Sequence, residues 1–224
     1  MAEDLFRSKN AVVYDLLKEK IIRGDLAPGQ ALKIEALAAQ IGVSAIPVRE
    51  ALRHLEANGF VVIEPYVGVT VTPLEAASIR EVFSTLEALE IISGRRLCER
   101  VTHEDLALLE DEVSAMAHLT GDAEAWSARN KKLHRTICSM AGMVLVEKML
   151  SVALDHWDRL RRCYLEDVFA RRVGLRQNEH EQILDALHQR NPDALETVVR
   201  AHNRAALKAY SAHLQQAGLL ENEA

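Results

Sequence analysis

The sequence predicts a mainly α-helical protein in two parts: a small N-terminal unit of short helices closed by a β-hairpin, then an all-helical bundle of about six helices. Three observations carry this. The length of 224 residues exceeds that of one ordinary domain and divides naturally into segments 1–74 and 75–224. The β-branched runs Phe60-Val-Val-Ile63 and Val67-Gly-Val-Thr-Val71 bracket the turn residues Glu64-Pro65-Tyr66, which is the signature of a small hairpin. After Thr72-Pro73-Leu74-Glu75, apolar residues recur at helical spacing as far as residue 217, opening with Ile79, Val82, Phe83, Leu86 and Leu89.

Each element has a local cause. Val12, Val13, Leu16, Leu17, Ile21 and Ile22 predict a helix over residues 10–23, and Gly24 stops it. Pro28 and Gly29 make the stretch from Leu26 to Leu32 a structured corner. A second helix is expected from Ile34 to Ile41, ended by Gly42; a third begins at Ser44 with Val48, Leu52 and Leu55 on one face. In the second part, breaks are expected at Arg100–His103, Thr120–Asp122, Ala141–Gly142, near Val173–Gly174 and at Asn191–Asp193, and the tail from Glu221 to Ala224 should fray.

Composition bounds the function. Hydrophobic residues at 49% and charged ones at 27% fit a soluble globular chain. Cys98, Cys138 and Cys163 are odd in number and widely spaced, which predicts reduced core thiols rather than disulfides or a zinc finger. No run approaches the roughly 18 apolar residues of a membrane span, and the start lacks a signal peptide's apolar core, so a cytoplasmic protein with no membrane partner is expected. The net charge of −6 argues against an indiscriminate binder of nucleic acid. Even residues 1–74 are nearly neutral, with Arg7, Lys9, Lys18, Lys20, Arg23, Lys33, Arg49 and Arg53 set against nine acidic residues. Any contact with DNA must therefore come from placement rather than bulk charge.

That placement is legible. A helix-turn-helix needs a small residue where two helices meet, a left-handed turn residue four places on, and an apolar residue six further that buries the second helix; Ala38, Gly42 and Val48 fill these slots. Ser44 stands at the N-cap of the second helix, and Pro47 is tolerated in its first turn. By itself this could be a plain helical hairpin. With the corner Leu26-Ala-Pro-Gly-Gln-Ala-Leu32, the segments Leu37-Ala-Ala-Gln-Ile-Gly-Val-Ser44 and Pro47-Val-Arg-Glu-Ala-Leu52, and the Gly68 hairpin, the first 74 residues resemble the winged helix-turn-helix of the GntR family of bacterial regulators. The resemblance implies a recognition helix carrying Ser44, Ala45, Ile46, Pro47, Arg49 and Arg53. Arg49 is then the candidate for bidentate guanine contact, and Gly68 lets the wing approach the minor groove. Arg53 could instead pair with Glu50 or Glu56. Ala45 and Ile46 stand where the family commonly has arginine and a polar residue, so a divergent operator is expected, with Ile46 packing on a thymine methyl.

The second part holds its own constellation. Asn130 and His134 are four apart and share a helix face; His180 and His202 each lie eleven residues from Asn191, level with each other across a helical hairpin. Three imidazoles and a side-chain oxygen suit a divalent transition metal such as Zn²⁺, Ni²⁺ or Mn²⁺. Spacing alone equally allows unrelated core or surface histidines. Residues 76–217 resemble the FCD-type C-terminal domain of the FadR subfamily (VanR-like), and Asn130, His134, His180 and His202 match the four positions of its metal motif, with Asn130 in place of the usual aspartate. Leu86 departs likewise, standing where many members have an arginine that meets an anionic effector. Arg135, Arg159, Arg161 and Arg162 remain candidate effector partners, although Asp158-Arg-Leu-Arg-Arg162 reads more simply as a solvated helix face.

The resemblance implies a ligand-responsive regulator, most simply a repressor, that binds a pseudo-palindromic DNA operator as a homodimer and answers to a small organic acid. A metal-dependent hydrolase using Glu179 or Glu181 as base is the rival, but the chain has no His-Glu-x-x-His, Gly-rich phosphate loop or Gly-x-Ser-x-Gly, so no enzyme is expected. A protein-interaction module without DNA binding is the other alternative.

Overall fold

A computed structural model describes residues 9–221, so the expected fraying of residues 222–224 lies outside the described residues. The chain divides between Glu75 and Ala76 into two compact units.

The first unit comprises α1 (Lys9–Arg23), β1 (Ala31–Leu32), α2 (Ile34–Ile41), α3 (Ala45–Ala57), β2 (Val61–Glu64) and β3 (Gly68–Val71). The periodic residues of α1 bury Val13, Leu17, Ile21 and Ile22 against Leu37, Ala38, Val48, Leu52 and Leu55 of the two following helices. Gly42 caps α2 in the left-handed conformation (φ 77°) and donates its N–H to Ala38 O, so the chain turns into α3 without a steric penalty. The sheet has the order β1-β3-β2, all antiparallel. The corner at Pro28–Gly29 thus ends in a third strand that the sequence did not reveal: two residues are too few to show alternation, and pairing of Leu32 with Val69 creates the strand.

The second unit is built from α4 (Ser78–Cys98), α5 (His103–Ala117), α6 (Ala123–Met140), α7 (Val144–Leu160), a π turn (Arg161–Leu165), α8 (Glu166–His188) and α9 (Pro192–Gln216). Helix starts follow local capping chemistry. Thr102 and Asp105 form a reciprocal capping box, Asp122 caps α6, and Asn191 caps α9 with Pro192 at its first position. α4 packs along α9, α7 and α6, while α8 packs along α9 and α5.

Two expectations are corrected. Gly174 does not break a helix: it sits inside α8, where Val168, Phe169, Val173, Gln177, His180 and Ile183 make an unbroken buried stripe. A single interior glycine costs about 1 kcal/mol, less than that packing contributes. The break falls instead at the π turn, one residue wider than α-helical spacing, which no periodicity marks. Cys163 lies in that turn and is exposed, so only Cys98 and Cys138 are core thiols.

Candidate nucleic-acid interface and metal centre

In the first unit, α3 buries Pro47, Val48, Ala51, Leu52 and Leu55 and turns Ile46, Arg49 and Arg53 outward. Ser44 occupies the N-cap position with extended backbone, but its side chain makes no capping hydrogen bond. Ala45 is half-buried and Ile46 is 72% exposed. Arg49 lies 3.7 Å from Glu35, and Arg53 pairs with Glu50 at 3.0 Å, leaving Glu56 to accept the Ile63 N–H at 3.1 Å. Both arginine pairs are solvated and thus weak. Gly68 opens β3 with φ 133°, a conformation that suits glycine. Beside it, Tyr66 and Val67 are fully presented at the wing tip, with Tyr66 in the left-handed region at φ 65°. Sequence reasoning passed over these two, whose signal was an apolar pair between turn residues.

In the second unit, α6, α8 and α9 bring His134, His180 and His202 together. One ring nitrogen from each lies within 4.8 Å of the others, and the His134 and His180 Nε2 atoms are 3.3 Å apart. All three are buried. Asn130, one turn before His134, is buried too, and its Oδ1 has no hydrogen-bond partner. A buried acceptor without a donor is costly unless something else satisfies it.

Carboxylates orient two of the rings. His134 Nδ1 lies 3.0 Å from Glu90 Oε1, and His202 Nδ1 lies 2.7 Å from Glu179 Oε2, so both rings turn Nε2 to the centre. Asn203 donates to the second Glu90 oxygen at 2.7 Å. Burial pushes the Glu90 carboxyl up, but His134, His202 and Asn203 outweigh it and hold it near about 2, so it is ionised. Burial, then Arg176, lowers His202 to about 4 against the opposing bond from Glu179, and burial drives His180 well down. Both are neutral at pH 7, the state in which imidazole ligates a cation. The donor set therefore fits a divalent transition metal: three imidazole nitrogens, an unsatisfied amide oxygen and orienting carboxylates.

Glu90, Glu179 and Arg176 complete the centre. Arg176 Nη2 donates to His202 Nε2 at 2.9 Å, and Nη1 donates to Tyr210 Oη at 3.3 Å. Sequence reasoning named Glu179 only as a possible base, yet it holds His202; Arg176 it missed, and its place one turn before His180 was the available signal.

Three of the four candidate effector arginines pair with carboxylates. Arg135 bonds Asp155 at 3.0 Å, Arg161 bonds Asp158 at 2.9 Å and Glu124 at 2.8 Å, and Arg162 bonds Glu124. Lys131 adds contacts of 3.0 Å to Asp158 and 3.3 Å to Asp155. Arg159 is buried. The solvated-face reading is thereby corrected: Asp158, Arg159 and Arg161 are all interior, and Asp158 and Arg161 pair with Lys131 and Glu124 of α6. Leu86 is a core residue.

Comparison with known proteins assigns both units. Residues 81–205 match the FCD domain, more than half of the chain, and residues 9–71 match the bacterial regulatory proteins of the gntR family. The chain belongs to the GntR family, with an FCD domain. A Streptomyces ambofaciens protein named as an uncharacterized HTH-type transcriptional regulator in an unstable DNA locus is 29% identical over 205 residues, covering 92% of this chain and 86% of that protein. The HTH-type transcriptional repressor RspR of Escherichia coli is 26% identical over 195 residues, covering 86% and 85%. The solved structure of E. coli McbR/YncC superimposes with a TM-score of 0.78 at 21% identity, covering 95% of this chain and all of that one, which speaks for the fold. This GntR/FCD protein is a transcriptional regulator and not an enzyme. Among the described residues no helix is long and apolar enough to cross a membrane.

Proposed function

We propose that this regulator binds a pseudo-palindromic operator as a homodimer, acts as a repressor, and changes its DNA affinity when a small organic acid binds beside a divalent metal in the second unit. The observation that carries the sensing half is the convergence of His134, His180 and His202, with the buried, unsatisfied Asn130 oxygen one helical turn before His134. Those four residues would hold the ion, with Glu90 and Glu179 orienting their rings. When bound, the ion supplies positive charge and open coordination positions for a carboxylate oxygen.

In the reading half, Arg49 donates to guanine in the major groove, Ser44 and Arg53 contact phosphate, and Ile46 covers a thymine methyl, with Ala45 and Pro47 in the same first turn. Gly68 and the Tyr66 tip approach the neighbouring groove. Two recognition helices about 34 Å apart read the two half-sites, and the effector changes their spacing.

Binding of the full-length protein to its own promoter DNA, followed by fluorescence anisotropy with and without Ni²⁺ or Zn²⁺ and a panel of carboxylic acids, tests this. Site-specific binding altered only when metal and acid are both present is the expected result. Tight metal binding with no specific DNA complex would overturn the operator reading. Metal content below a tenth of an equivalent in protein purified without chelator or affinity tag would overturn the metal reading.

A further inference from the structure

The histidine centre contains a cation of its own. Arg176 is buried, and its two hydrogen-bond partners are an imidazole nitrogen, His202 Nε2, and a phenol oxygen, Tyr210 Oη. Its Nε has no partner. Among the described residues no carboxylate reaches it within ion-pair distance; Glu179 lies in electrostatic range but spends its Oε2 on His202 Nδ1. The interior thus accepts a guanidinium largely for the sake of one imidazole nitrogen.

That nitrogen is the atom a metal needs. A neutral imidazole with its proton on Nδ1 has one lone pair, on Nε2. Arginine has no acceptor and stays charged, so the 2.9 Å contact consumes that lone pair as an acceptor. We propose that Arg176 is a built-in competitor of the metal: guanidinium and divalent ion exclude each other at His202 Nε2, and Arg176 thereby sets the centre to hold metal loosely. The proposal rests on the metal reading above and specifies its regulation. Loading the ion breaks the Arg176–His202 bond and sets a second positive charge beside a buried one; Asn130, being uncharged, offsets neither cost. The loosened guanidinium keeps only Tyr210 on α9, so metal occupancy is communicated directly to the packing of α8 against α9.

The alternative is that Arg176 merely ties α8 to α9, in which case its removal leaves metal affinity unchanged or lower. Titration of the full-length protein with Ni²⁺ or Zn²⁺ against a competing chelator separates the two. Arg176→Met and Arg176→Gln should each bind the ion about tenfold more tightly or better than the wild type, the value of a lost charge-assisted hydrogen bond. Equal or weaker binding by a variant that still melts cooperatively overturns the proposal. Failure of the metal reading itself looks different: neither the wild type nor either variant then binds metal in a manner abolished by His180→Ala. A measurement needing no substitution stands beside these. In ¹⁵N-labelled wild-type protein, Zn²⁺ should shift the Arg176 guanidinium resonances together with those of His202; Arg176 resonances unmoved by a metal that shifts His202 would refute the competition.

Discussion

The exposed helix α3 and the buried histidine centre use polar residues in opposite ways. On α3, Arg49 and Arg53 face solvent and rest on Glu35 and Glu50 in pairs that contribute only about 0.2–1 kcal/mol each. Redirecting them to DNA costs little. In the second unit the charged groups around the histidines are committed to partners, Glu90 to His134 and Asn203, Glu179 to His202, and Arg176 to His202 and Tyr210, while Asn130 Oδ1 has none. A ligand that takes His202 Nε2 must displace Arg176 before it gains a partner. A reader can be surface chemistry on a rigid frame, whereas a sensor has to be coupled to its own packing.

The largest effect that would sharpen this contrast is structural. Asp158 is buried between Lys131 and Arg161, so Asp158→Ala leaves Lys131 only Asp155 and Arg161 only Glu124 and should lower unfolding free energy by about 3 kcal/mol, the low end for breaking a buried pair. Chemical denaturation measures it, and a loss below about 1 kcal/mol, the size of a surface pair, would break the comparison. Its pH dependence has a definite sign. Burial raises the Asp158 carboxyl, yet Lys131, Arg161 and Arg162 outweigh it and leave the folded value below the ordinary 3.8. The stabilisation is therefore present above about pH 4 and lost as pH falls through the lower folded value; acid titration of the wild type should lose stability there, and Asp158→Asn should flatten that loss.

Next comes the reader. Arg49→Ala should weaken specific DNA binding by about 1–3 kcal/mol and relax discrimination at one base, while shifting folding stability by no more than about 0.5 kcal/mol. Anisotropy titrations with operator variants check both halves; a uniform loss across sequences would assign Arg49 to phosphate instead. In the sensor, Glu90→Gln should weaken Ni²⁺ or Zn²⁺ binding about 10–100-fold by loosening the His134 ring. Unaltered affinity would mean that Glu90 serves the fold and not the centre. The smallest effect is Arg53→Ala, expected to cost DNA affinity under about 1 kcal/mol and to lower the salt dependence by about one phosphate contact.

Much of this was readable in the chain because its causes are local. The turn at Gly42, the buried Val48, the hairpin and the caps at Asn191 and Asp122 each depend on neighbours within a few residues. The level pairing of His180 with His202 followed from equal spacing about Asn191, and their rings lie 5.0 Å apart. Strand β1, the π turn and the interior course of Arg161 were not readable, since pairing or packing against distant segments creates them.

The sequence by itself determined the class of protein, a helix-turn-helix reader joined to a helical domain with converging histidines, because periodicity and turn chemistry specify elements one at a time. Only the tertiary structure decided how the histidines are held. Glu90 meets Asn203 across 113 residues, Gln177 meets Trp126 across 51, and Arg176 meets His202 across 26. Such partners are chosen by which helix faces α4, α6, α8 and α9 bury against one another, and a buried polar group takes whichever partner that packing brings within reach.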